Sequence, residues 1–311
     1  MSRVPPAPPS SSRSGFVYAV AAYALWGVLP LYFLVLLPAG AFEVVAFRIL
    51  MSLVFCAILL TVTRAWGRLR ELARNRRTVM FMALAAVAIY VNWQVYIFAA
   101  LNGHVLEGSL GYFINPIVTV LLGVLVLREK VRLAQWVAIA IAFAAFVVIV
   151  VGYGSVPWIA LLLAFSFGAY GLIKRVVGPR VDAVGGLTLE TAWLAPVALV
   201  QLVLVATIGG GLEFGRHDPV HTVAMLLAGV ATTVPLLLFA AGARRIPLVA
   251  LGMTQFLAPV LQFVVGWLVL NEAMPPERWI GFALVWVALA VLTADMIVAA
   301  RPPRRASLER V

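Results

Sequence analysis

Charge is what this sequence lacks most. Only 11% of its 311 residues are Asp, Glu, Lys or Arg, against the roughly 25% that a water-facing surface requires in an ordinary soluble chain. With 64% of the residues hydrophobic and a mean hydropathy of +1.06, there is too little polar sequence to coat a globular chain. The bilayer must be the solvent for most side chains. Cysteine is nearly absent as well. The single thiol, Cys56, lies in an apolar stretch, which excludes an intrachain disulfide and a cysteine metal centre and leaves a small buried apolar side chain. Histidine is scarce: His104 and His217 fall in connectors between apolar runs and His221 at the connector edge of one. His217 and His221 have the spacing of metal ligands, but no third ligand joins them in their Gly-rich connector, so a solvated loop is expected and no metal. No serine has a base near it, no pair of intramembrane aspartates occurs, and no Gly-rich phosphate loop or long soluble segment exists. These absences argue against an enzyme, against a cofactor and against an ATP-driven pump. The basic balance, a net charge of +11, sits in short connectors rather than on a surface able to follow phosphates, so nucleic acid is not an expected partner.

What is present is a series of apolar runs. A helix crossing the hydrocarbon core needs about 20 predominantly apolar residues. Such runs lie at 15–37, 43–63, 78–100, 106–127, 132–151, 157–174, 188–209, 220–241, 248–270 and 277–300. Turn signals separate them: Pro38-Ala39-Gly40, Asn102-Gly103, Gly152-Tyr153-Gly154, Gly209-Gly210-Gly211 and Pro275-Pro276. The runs are apolar all round, whereas barrel strands alternate apolar with polar residues. The run from Gly15 to Leu37 exceeds the roughly 7–15 residues of a secretory signal core, so it reads as the first membrane span. Residues 1–14, rich in proline and serine, read as a disordered tail, and 301–311 as a basic tail.

The basic residues test this count. With both termini in the cytoplasm, 20 of the 23 Lys and Arg residues fall in cytoplasmic segments, the largest group being Arg64, Arg68, Arg70, Arg74, Arg76 and Arg77. Arg216 and Arg278 lie outside and Arg48 within a span. A missing span would invert every later connector and destroy this segregation.

The chain also repeats itself. Pro116, Gly123, Glu129 and Trp136 recur as Pro259, Gly266, Glu272 and Trp279 at a constant offset of 143, and Trp26-Gly27 corresponds to Phe167-Gly168. The expected fold is therefore all-α and polytopic: ten transmembrane helices in two five-helix repeats, over 15–151 and 157–300. Because five is odd, the repeats are inverted. Such units can exchange conformations about a site near the midplane, which makes a secondary transporter the leading function. A membrane-embedded enzyme or a sensor is the alternative.

Polar residues inside spans are costly in hydrocarbon and mark interiors or cavities. Arg48 is either an anchor for an anionic substrate, a structural charge paired with Glu43 or another carboxylate, or a side chain that snorkels outward. Glu107 and Glu190, read as lying near helix starts, are candidates for ion coupling or for capping through the helix dipole. Asn92 and Tyr96 share one face of the third span. Tyr112 and Asn115, Thr232, and Gln255 stand close to prolines 116, 235 and 259, where a freed carbonyl needs a neighbour or cavity water.

At these residues a family becomes recognisable. Trp26-Gly27, Asn92-Trp93, Asn102 through Glu107, Ser109-Leu110-Gly111-Tyr112-Phe113-Ile114-Asn115-Pro116, Leu161 to Gly171, Leu187 to Thr191 and Thr232-Thr233-Val234-Pro235 resemble the EamA-type drug/metabolite transporters, and within them the RarD permeases. The resemblance runs from Gly15 to Ala294. It implies a ten-helix permease of two EamA repeats in the bacterial plasma membrane; RarD members are associated with chloramphenicol sensitivity. Leu34 and Phe47 depart from the pattern, standing where a lysine and a histidine are frequent, which leaves more of any substrate-binding role to Arg48. The expected cavity is lined by Trp26, Arg48, Asn92, Tyr96, Tyr112, Asn115, Thr232 and Gln255. Its aromatic and amide character suits a small amphipathic organic molecule. The sequence specifies neither a coupling ion nor an oligomeric state.

Overall fold

The computed structural model describes residues 9–128, 132–177, 181–243, 245–246 and 254–300. The first repeat comprises α1 (Pro9–Val35), α2 (Ala41–Val62), the short α3 (Trp66–Arg74), α4 (Arg76–Leu101), α5 (Val105–Leu127) and α6 (Leu133–Tyr153). The second comprises α7 (Trp158–Val177), α8 (Ala183–Thr207), α9 (Pro219–Ala243), α10 (Leu257–Val264), which runs on as a π turn over Val265–Val269, and α11 (Pro276–Ala300). Eight of these helices are long and apolar enough to cross a bilayer; α7 and α10 are shorter apolar helices that complete the ten.

The ends follow local chemistry. Asn75 and Asp182 cap α4 and α8, accepting from the amides of Thr78 and Gly185 at 3.1 Å each, as short polar side chains do at helix starts. The cap at Asp182 starts α8 five residues before the expected 188. Glu190 is therefore the eighth residue of its helix, two turns in rather than near the start. α1 begins at Pro9, six residues before the expected Gly15, since proline suits the first helical turn, where its missing N–H costs nothing. Residues 1–8 and 301–311 of the expected tails lie outside the described residues, as does Glu129 of the repeat. The ninth span, expected as one helix over 248–270, is described from Thr254, with Gln255 and Phe256 in a turn ahead of α10.

One helix was not expected. α3 is too short and too charged to satisfy a membrane-span criterion, but Trp66, Leu69 and Leu72 recur at helical spacing. Leu69 and Leu72 are half-buried while its arginines stay exposed.

Packing joins the repeats more than it joins helices within either one. α6 lies along α11 and α2 along α8; α5 packs on α7 as α10 packs on α1; α4 packs on α7 as α9 packs on α1. Each pairing is either its own mate or has one when the repeats are exchanged, the pattern of a pseudo-two-fold axis in the membrane plane. One buried cluster unites α1, α2, α4 and α7 to α9, and a second fills the space among α5, α6, α10 and α11. Close approach needs small residues. At Gly229, a Cβ would collide with the backbone of Met51 on α2.

Candidate functional site

Arg48 is the eighth residue of α2, about 11 Å below the start of that helix at 1.5 Å per residue. Its guanidinium lies 4.5 Å from the ring centre of Trp93 on α4 and 5.7 Å from that of Phe33 on α1. The side chain is buried, and its Nε and Nη1 find no hydrogen-bond partner. Among the described residues no carboxylate pairs with it. Glu43, the expected partner five residues earlier, instead accepts from the amides of Glu213 and Phe214 at 3.1 and 2.9 Å. Outward snorkelling is excluded by the burial.

The aromatic shell continues around the guanidinium. Phe33 meets Tyr96 edge-on at 6.0 Å, Tyr96 meets Tyr112 at 5.4 Å, and Tyr112 meets Phe167 at 5.9 Å. Tyr32, Tyr96 and Tyr112 all lie within electrostatic reach of Arg48. Two tyrosines are fixed by their hydroxyls: Tyr112 donates to Asn92 Oδ1 at 3.0 Å, and Tyr32 to the carbonyl of Ala224 at 2.6 Å. Asn92 in turn donates to the Leu163 carbonyl and the Ser166 hydroxyl on α7, both at 3.2 Å, tying the two repeats together. The Tyr96 hydroxyl sits near the Gln262 amide without completing a hydrogen bond.

The energetics leave this site incomplete. An unpaired charge withdrawn from water costs several kcal/mol, and each desolvated cation–π contact returns about 2 kcal/mol. Two ring faces do not satisfy two buried N–H donors. The Tyr96 hydroxyl, Gln262 Oε1 and Asn115 Oδ1 are also buried without partners. Chemically, the arrangement can accept an anionic or strongly electronegative group at the open donors of Arg48.

Of the residues singled out in the sequence, Arg48, Asn92, Tyr96 and Tyr112 are brought together. Asn115 lies on α5 beside Gly168. Trp26 is half-buried, edge-on to Tyr23 at 5.3 Å and tilted against Phe239 at 6.0 Å, and its carbonyl accepts from Gln262 Nε2 at 3.2 Å. Thr232 bonds back to the Ala228 carbonyl on its own helix at 2.8 Å. Gln255 makes no hydrogen bond to a described residue; Gln262, two turns further on, is the buried glutamine of this helix. Phe33, Tyr32, Trp93 and Gln262 were missed. Nothing in the sequence separates Trp93 from tryptophans that anchor at membrane interfaces.

Glu107, Glu272 and His221 clasp one repeat to the other, whereas Glu190 and His217 find partners within the second repeat. Glu107 Oε1 accepts from the amide of Ile159 on α7 at 3.0 Å, capping the first helix of the other repeat rather than its own. Glu272 accepts from the amides of Val105 and Leu106 at 2.6 and 2.9 Å. Glu190 is 1% exposed, accepting from Lys174 Nζ at 2.7 Å and from the Tyr170 hydroxyl at 3.3 Å. His221, expected in a solvated loop, is 3% exposed in the first turn of α9, and its Nε2 lies 2.9 Å from the Leu36 carbonyl. His217 is exposed beside Glu213, at 2.7 Å. No cluster of metal-binding side chains occurs among the described residues.

Apolar helices in two opposed repeats around a buried, unsatisfied polar centre have the architecture of a multi-pass transporter. The chain belongs to the EamA-like transporter family, whose model matches residues 13–151 and 155–294. It is 46% identical to Protein RarD of Streptomyces exfoliatus, over 95% of this chain and 93% of that one. It is 38% identical to Protein RarD of Escherichia coli, over 93% of this chain and 97% of that one. The uncharacterized transporter YojE of Bacillus subtilis is 39% identical over 93% of this chain and 96% of its own. A crystallised protein shares the fold at a TM-score of 0.59 with 17% identity, covering 93% of this chain and 99% of that one.

Proposed function

We propose that the chain carries a small organic anion across the bacterial plasma membrane by alternating access, with both termini in the cytoplasm. The observation that carries the reading is Arg48: a buried guanidinium with unpartnered donors and no counter-ion among the described residues. A structural arginine would be paired; one that waits for an anion is left open. The aromatic shell favours an organic anion over a bare inorganic one, because rings add dispersion and edge contacts that a hydrated ion cannot use. Inverted repeats supply the motion, since exchanging their conformations opens the site first to one side and then to the other. The crowding of basic connectors at one face supports the cytoplasmic termini.

The test compares organic acids in medium and cells of strains producing wild type or Arg48→Ala, at equal protein in the membrane. At least one anionic metabolite should be redistributed by wild type and not by the variant, and vesicle uptake of that metabolite should show the same difference. Equal redistribution by both proteins would remove Arg48 from the site. Failure of Arg48→Ala to accumulate would favour a structural guanidinium; Arg48→Lys, which keeps the charge, then repeats the comparison.

A further inference from the structure

Arg48 has a counterpart. α2 and α8 are equivalent helices, starting after Gly40 and Asp182, and the eighth residue of α8 is Glu190. The offset that relates Trp26 to Phe167 also relates Phe33, stacked under Arg48, to Lys174, paired with Glu190. The contact of α2 with α1 in the first repeat thus recurs as that of α8 with α7 in the second, with a cation lacking an anion in one and a carboxylate with its own cation in the other. Since the repeats are inverted, Arg48 is nearer one face and Glu190 nearer the face that carries the basic connectors.

We propose that Glu190 is the proton-exchanging carboxylate of this transporter, with Lys174 as its internal counter-ion, at the position that repeat symmetry makes equivalent to Arg48; the proposal rests on the transport reading above. Burial alone would make the pair a structural bolt, but its two members are buried unequally. The Glu190 side chain is 1% exposed and the Lys174 side chain 30%. The ammonium thus reaches the protein surface one turn before the end of α7, where the basic connector places the water boundary. The carboxylate meets that water only past it. A proton arriving from that water adds to a carboxylate oxygen of Glu190 and breaks the ion pair. Lys174 keeps its own proton and moves into the water on its flexible stem. Loss of the proton to the same side restores the pair. Because α7 and α8 are joined here by Lys174 and Tyr170, protonation also loosens the inner contact between two helices of the second repeat.

The other groups around Glu190 leave this role to it. From α7 come Lys174 and Tyr170; from α2 comes Cys56, whose thiol lies against Thr188 and against Thr233 of α9. On α4, Tyr90 meets Gln201, three turns beyond Glu190. On α3, Arg68 and Glu71 border Asp182, two turns before it. Lys174 is the cation in contact with it.

The full-length protein in phosphatidylethanolamine–phosphatidylglycerol vesicles, with no substrate added, tests this on a solid-supported membrane. A jump to acid pH should displace charge transiently, and infrared difference spectra should gain a carboxyl C=O band. Glu190→Gln should abolish the transient and that band. Glu190→Gln with Lys174→Met, which removes both charges at similar volume, should do the same if the single variant folds poorly. Because no substrate is present, the readout does not depend on the anion site. No transient in wild type, or one unchanged in Glu190→Gln, would overturn the proposal while leaving the flux test of Arg48 standing.

Discussion

The carboxylate of Glu272, just past the π turn of the second repeat, holds the first amide of α5, Val105, at 2.6 Å. The next amide, of Leu106, is held at 2.9 Å. A helix start carries partial positive charge on its free N–H groups, so a carboxylate from the opposite repeat is a strong clasp. Glu272→Gln keeps the shape but turns a donor toward one of these amides. An unsatisfied buried amide costs about 1–3 kcal/mol, and thermal unfolding in detergent should show a lower midpoint. An unchanged midpoint would make the clasp incidental.

Burial pushes the Glu272 carboxyl above its ordinary value, against the opposing pull of the Leu106 and Val105 amides, Arg278 and His104. The folded chain therefore holds this proton to a higher pH than the unfolded chain does. The stability linked to it is present in full below the unfolded value and is lost as pH rises through the raised one. Across that window the wild-type midpoint should fall relative to that of Glu272→Gln. A pH-independent difference would contradict this linkage.

Asn92 precedes Trp93, the ring under Arg48, and receives the hydroxyl of Tyr112. Asn92→Asp would bring a carboxylate into the shell at almost no change in volume. The variant should lose anion transport, because a negative charge enters the shell, and should unfold at lower temperature, because a carboxylate cannot donate to the Leu163 carbonyl and the Ser166 hydroxyl as the amide does. Asn92→Ala should lose about 1–2 kcal/mol of stability, the scale of an interhelical hydrogen bond in a membrane protein, without adding the charge. If Asn92→Asp transports normally, Asn92 does not border the anion.

Two glycines make a matched pair. At Gly229 a Cβ would strike the Met51 backbone, whereas at Gly171 it would meet nothing. Gly229→Ala should cost about 1–3 kcal/mol through overpacking. Gly171→Ala should be neutral or gain up to about 1 kcal/mol from helix propensity. Equal effects on membrane accumulation and melting would mean that α2 and α9 do not touch so closely.

The helix set and the repeat were legible because both are written in length, breakers and rare residues: Pro116 with Pro259, and the spacing of apolar runs. Rotation about each helix axis was not. α1, α2 and α8 are apolar around nearly their whole circumference, so nothing local distinguishes a lipid-facing side from a packed one. That is why Gln255 was chosen in the ninth span although Gln262 is the buried glutamine. It is also why Thr232, polar and buried, was read as cavity lining although it bonds to its own helix. Arg48, Asn92, Tyr96 and Tyr112 were found because polar and aromatic groups in hydrocarbon need partners wherever they point. Glu190 was misjudged in depth by the five residues that Asp182 adds to the start of α8.

The interleaving of the repeats also imposes an order on synthesis. The α7 acceptors of Asn92, the Leu163 carbonyl and the Ser166 hydroxyl, leave the ribosome about 70 residues after it, several seconds later at about 5–20 residues per second. By its end the five spans of the first repeat, α1, α2 and α4 to α6, sit in lipid with an amide short of its partners and with α2 short of the packing that α8 and α9 provide. The nascent half-protein is therefore the stage at which chaperones and membrane proteases have most to recognise, and a pause in translation between α6 and α7 would lengthen that exposure.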